Sequence, residues 1–344
     1  CTFANAGAIS LAGGWTFNGV LDTTSGSVTN IAGIVATSND QIDLGATTMT
    51  ANATLKSGTA AINIASLAGA YTLELHEDAA STTGTVTVAG DATITGLTTF
   101  GGDADYSVAL NGGGTITNDC NFLNTGTVTI GASITFAGGF ATTGNASNPS
   151  STSLTGTLTT TNTAIALGVT TLAGVTTVTS GAGANNVTFA STVNNTQTLT
   201  VTAGSGNAVF NGVVGGVTPI STLTVTGATI DINESITTLG ALVDLDATAD
   251  VNIAITKSIT TKAADNGGVI SGAIDIDSSG TVTIAGNLVT TGAPRNDGTA
   301  STGGAVTINT SGGGAIAVAG ITTTGGATTH DDAGSDGGLA GVIT

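Results

Sequence analysis

Five aspartates, Asp265, Asp297, Asp331, Asp332 and Asp336, sit in comparable Gly-rich segments late in this chain, and their side chains are the best placed to hold a ligand. Carboxylates and loop carbonyls are hard oxygen donors, the set that calcium takes. Calcium is the one cofactor the sequence points to, although the Gly-Gly-x-Gly-x-Asp nonapeptide of calcium β-rolls does not recur. The alternative is that these are plain solvated loops. A second acidic group is Asp244, Asp246 and Asp250 in Val-Asp-Leu-Asp-Ala-Thr-Ala-Asp, and a third is Asp275 and Asp277 in Ile-Asp-Ile-Asp. Alternate residues of a strand share a face, so each pair would line an outer surface. There it could supply the paired carboxylates of a polysaccharide hydrolase, or simply keep a strand soluble and block edge association. His76, followed by Glu77 and Asp78, could form an acid/base or zinc cluster, with a solvated turn as the simpler expectation.

The remaining chemistry is thin. No His-x-x-x-His, cysteine pair, nucleophile elbow or phosphate loop occurs, so metal hydrolase, thiol, serine-hydrolase and nucleotide readings lack their minimum parts. A non-enzymatic role is the expectation. Four basic residues stand against 22 acidic ones, a net charge of -18, which argues against nucleic acid and anionic membrane as partners and favours cations. No apolar run reaches membrane-spanning length. Of the two cysteines, Cys1 is either a lipid-bearing residue or a plain small one, and a bridge to Cys120 would have to cross several repeats.

The elements that must position these side chains are short and repeated. Val187-Thr-Phe189 followed by Leu199-Thr-Val201 returns as Ala208-Val-Phe210 followed by Leu223-Thr-Val225. A unit of this size cannot bury its own apolar face and must stack on copies of itself. Similar alternating pairs recur along the whole chain, among them Ile62/Ile64, Val128/Ile130, Ile253/Ile255, Ile274/Ile276 and Val306/Ile308, with Gly, Asn, Asp or Ser turns between them. Strict alternation over four or five residues means strands with one buried face. The expected fold class is all-β: a parallel β-helix, or β-solenoid, with about 21 to 34 residues per coil. Aromatics at Trp15, Phe17, Phe100, Phe136, Phe189 and Phe210 are expected to stack in internal ladders. Thr-x-Thr words, such as 177/179, 200/202 and 222/224, would form flat outward ranks only if spaced evenly from coil to coil. Their spacing drifts, so ordinary β-propensity accounts for them.

Residues 1–258 read as coils with short turns, and residues 259–344 as a continuation of the same β-helix with longer Gly/Asp-rich loops. The later period is about thirty residues, and the extra length follows a Thr-rich strand in Ile259-Thr-Thr, Val289-Thr-Thr and Ile321-Thr-Thr-Thr. Three such loops would leave the same flank of consecutive coils, where a solenoid places its contacts.

The words Val-Thr-Phe-x-x-x-Val and Leu-Thr-Val, with Gly-Thr-Val-Thr-Ile at 280–284 and Gly-Gly-Ala-Val-Thr-Ile at 303–308, resemble the repeat regions of filamentous-haemagglutinin-like and other giant bacterial surface proteins. The resemblance covers most of the chain and implies a right-handed parallel β-helix. It also implies an exported adhesin, stalk or filament subunit. Both Cys1-Thr-Phe-Ala and Leu339-Ala-Gly-Val-Ile-Thr344 are apolar and strand-like, unlike polar caps. The expected function is an extracellular structural protein of a microbial cell surface, whose main partner is itself, head to tail or laterally. The alternatives are an adhesin section that binds a glycan or other cell-surface ligand, and a β-helical polysaccharide lyase or hydrolase.

Overall fold

The computed structural model describes residues 1–76, 83–101, 105–263, 271–294, 300–327 and 339–344. Among the described residues there are strands and no helix, hence no helix that could cross a membrane. Among the described residues every strand pairing is parallel, and the chain is a parallel β-solenoid divided into two compact units, Cys1–Val169 and Thr170–Thr344.

Each coil of the second unit has three sides, and each side continues a ladder of identical register. On the first side Leu199 and Val201 pair with Leu223 and Val225, then Val243 and Leu245, Ile274 and Ile276, and Val306 and Ile308. On the second, Val187 and Phe189 pair with Ala208 and Phe210, then Ile230 and Ile232, and Val251 and Ile253. The third carries Ile236, Ile259, Leu288 and Ile321 in one column. Apart from those of the last strand, Ile316–Thr324, and Ile308 beside it, these apolar side chains are buried. Full burial of one such side chain contributes about 1.5–3 kcal/mol, so the ladders drive the fold. The first unit is built alike: Ile42 and Leu44 pair with Ile62 and Ile64, then Val86 and Val88, Val108 and Leu110, and Val128 and Ile130.

Coil length varies more widely than expected. Ile31 pairs with Met49, 18 residues on, and Leu67 with Ala92, 25 on; in the second unit the step grows from Leu223–Val243 to Ile274–Val306 and Val306–Ile343. The strands keep their register because the change is absorbed at the corners.

The aromatics do not share one column. Phe189 and Phe210 stack in register, with ring centroids 5.1 Å apart and planes at 3°. Phe136 packs edge-on against Phe140 at 4.8 Å and against Phe122 at 6.3 Å. Phe100 lies outside the strands, its backbone N–H donating to the Tyr106 hydroxyl at 2.8 Å. Trp15 is exposed and stacks on Phe17 at 6.2 Å. The cysteines are both free: Cys1 is exposed, while Cys120 is buried, and burial pushes its thiol well above the usual range.

Candidate functional site

The strongest concentration of chemistry among the described residues is on the outward face of the first side of the second unit. The strands Val243–Ala247 and Ile274–Ser278 lie side by side in register, with Asp244 opposite Asp275 and Asp246 opposite Asp277. Apolar neighbours at Val243, Leu245, Ile274 and Ile276 point inward, which forces all four aspartates outward. Neighbouring strands are about 4.8 Å apart and alternate residues about 6.6 Å apart, so the four carboxylates occupy the corners of a small rectangle. In the sequence, 244/246 and 275/277 stand as separate sets. Aligning the words Val-Asp-Leu-Asp-Ala and Ile-Asp-Ile-Asp-Ser pairs them, since each sits at the same position of its coil.

Asp250 does not join them. It stands at the turn before Val251, where its carboxylate accepts the Thr281 backbone N–H of the next coil at 2.7 Å. The rectangle is bounded on one side by Thr224 and Thr226 and on the other by Thr307 and Asn309. Asn309 Nδ2 donates to Asp277 Oδ1 at 2.9 Å. Asp275 Oδ1 is enclosed and makes no well-formed hydrogen bond among the described residues. Partial burial raises the pKa of Asp244, Asp246 and Asp275, and the neighbouring carboxylates raise each further. Asp246, Asp277 and Asn309 also border a cleft of about 460 Å³, otherwise lined by glycine, alanine and hydroxyl side chains.

The rows extend upward as threonine. Thr177 and Thr179 pair with Thr200 and Thr202, and these with Thr224 and Thr226, so a rank of three Thr-x-Thr words does form. The drifting sequence spacing, expected to prevent this, is taken up in turns, and the strands remain aligned. The outer face therefore runs hydroxyl, hydroxyl, hydroxyl, carboxylate, carboxylate along each of two columns.

The five aspartates expected to hold calcium, Asp265, Asp297, Asp331, Asp332 and Asp336, lie outside the described residues, as do Glu77, Asp78 and His330. The bases of the three segments are described. Thr238, Thr261, Thr290 and Thr323 form one register column. Each hydroxyl donates to the carbonyl that closes its corner: Thr238 to Ala241 at 2.9 Å, Thr261 to Gly272 at 2.6 Å, Thr290 to Gly304 at 2.7 Å and Thr323 to Gly341 at 3.0 Å. The same latch thus closes a corner of two intervening residues and corners of ten or more. Replacing residues 262–271 by Leu-Gly, the pair after Thr238, should leave the coil folded. Loop closure changes by only about 0.6 kcal/mol per doubling of length, so urea denaturation should show stability within about 1–2 kcal/mol of the parent.

His76 is not in a solvated turn. It is buried, with its ring 4.5 Å from that of Tyr106, in a left-handed backbone conformation at φ 53°. Among the described residues no group of three or more His, Cys, Asp or Glu side chains is disposed to hold a metal ion. Comparison of the chain with protein-family models, with curated proteins and with solved structures finds no match.

Proposed function

We propose that this chain is a non-enzymatic structural protein of a microbial cell surface, serving as a β-helical stalk or as a head-to-tail filament subunit, akin to filamentous-haemagglutinin-like proteins. One observation carries the reading. The last strand, Ile316–Thr324, is paired by Val282–Thr291 on one side, and among the described residues nothing pairs its other edge, so Ile316 and Val318 of the inward register are left uncovered. Ile316 is 47% exposed, Val318 36% and Ile343 54%, whereas their register partners in the preceding coil, Val282, Ile284 and Val306, are buried. An open parallel edge over an uncovered apolar layer is completed by one more coil, supplied by a longer chain in a stalk or by a second copy in a filament. A head-to-tail contact that does not close into a ring grows as a fibre. The exposed Trp15, stacked on the half-buried Phe17 of the first unit, offers apolar surface to the incoming copy.

The net charge of -18 fits this role, since it keeps the sides of such an object apart while its ends join. The partners are then copies of the chain, with no role for nucleic acid or membrane insertion. Calcium would act at the acidic segments, as a lateral or end-to-end bridge. Val318→Lys together with Ile343→Lys places two charges on the open layer, at exposed positions that end the buried ladders. Sedimentation velocity should show concentration-dependent association of the parent and a single small species for the variant. Equal association of both would contradict the end-stacking reading. A second reading, an adhesin section that holds a glycan, is favoured by the hydroxyl-lined cleft beside Asp246, Asp277 and Asn309. Glycan binding by the unassembled protein separates the two.

A further inference from the structure

We propose that Asp244, Asp246, Asp275 and Asp277 share protons across the ladder between Val243–Ala247 and Ile274–Ser278, forming a clasp between two coils that tightens in weak acid. The register places the carboxyls in facing pairs, 244 with 275 and 246 with 277, on strands whose buried residues allow no sideways escape. Like charges directly opposite each other weaken a ladder. No cation offsets them from the flanking strands, which present Thr224 and Thr226 on one side and Thr307 and Asn309 on the other. The nearest further carboxylate in sequence, Asp250, is engaged by the Thr281 N–H.

An independent observation points to the proton. Asp275 Oδ1 is cut off from solvent and makes no well-formed hydrogen bond among the described residues, the Ile276 backbone N–H beside the carboxyl offsetting its charge only in part. An ionised carboxylate oxygen in that position has lost its water without full replacement, which is costly. Protonation relieves it: the carboxyl O–H of one aspartate donates to the carboxylate of the facing one, and repulsion becomes a charge-assisted hydrogen bond. Asn309, which donates to Asp277, leaves that carboxylate as the natural acceptor of its pair.

The direction with pH follows from linkage. At Asp244, Asp246 and Asp275 the folded chain holds protons more tightly than the unfolded chain, whose aspartates titrate near 3.8. The contribution of this cluster to stability must therefore rise as pH falls from neutrality toward that value, and fall again as pH is raised. Below the ordinary aspartate range both states are protonated and no further gain accrues.

The test is amide hydrogen exchange of residues 243–247 and 274–278 at pH 7 and pH 5, corrected for intrinsic exchange rate, with chelator present throughout so that no divalent cation replaces the proton. Protection in the parent should rise by about twofold or more between the two, the gain growing as pH approaches the ordinary aspartate range. Asp275→Asn should already show the higher protection at pH 7 and lose most of the rise, and Asp246→Asn should move the same way. Asp40→Asn, which removes one charge from the other unit, should behave as the parent. Protection that is flat or falling toward pH 5 in the parent, or an undiminished rise in Asp275→Asn, would overturn the proposal.

Discussion

Phe210→Ala should destabilise the second unit by about 3–5 kcal/mol, the usual cost of emptying a large buried aromatic site. The ring is fully buried and stacked on Phe189 at 5.1 Å, and in the next coil its register partner is Ile232. Two layers therefore lose contact, and neither can collapse into the gap, because each strand is held by ladders above and below. In a solenoid stability passes between neighbouring coils, so the effect should be graded along the stack. Hydrogen exchange should quicken most in 187–189, 208–210 and 230–232, and less in 251–253. A urea midpoint within error of the parent would show that the stacked pair adds nothing beyond what its neighbours supply.

The next largest effect is expected at Gly114, where strain and crowding combine. Its φ is +109°, a conformation that side chains disfavour, and a Cβ there would lie 2.2 Å from the carbonyl oxygen of Ala92 in the preceding coil. Backbone cannot swing aside as a side-chain tip can, so Gly114→Ala must push apart a pair of hydrogen-bonded strands. Strain of about 1–3 kcal/mol and overpacking of similar size should together cost several kcal/mol. Gly13→Ala isolates the strain, since Gly13 has φ +96° and no atom within 4 Å of the added carbon. Thermal melts should place Gly114→Ala well below Gly13→Ala, and equal melting temperatures would contradict the close approach of these coils.

The repeated words make the ladders readable from the sequence. Val187-Thr-Phe189 and Ala208-Val-Phe210 pair as their likeness implies, because alternation fixes which side chains turn inward and a one-residue slip would expose them all. Corner length is not readable, since an insertion there leaves each strand unchanged. That is why drifting threonine spacing conceals an aligned rank, and why two aspartate words 31 residues apart look unrelated until register places Asp244 beside Asp275. His76 misleads for another reason: its acidic neighbours suggest solvent, whereas the ring of Tyr106 receives it. Tyr106, Phe122 and Phe140 do not stand out as core because they lie outside the regular alternating words. The latch of Thr238, Thr261, Thr290 and Thr323 is visible in the sequence only as Thr-rich strand ends, without the carbonyls that close each corner.

End-to-end stacking on the open last coil is the central functional claim, and electron microscopy of the purified protein in calcium and after chelation tests it most directly. The account predicts unbranched filaments in which the strand spacing of about 4.8 Å continues through every junction between copies, with loss on chelation assigning calcium to the junction. Separate short particles at every concentration, with the Ile316–Thr324 edge still open in both conditions, would contradict it.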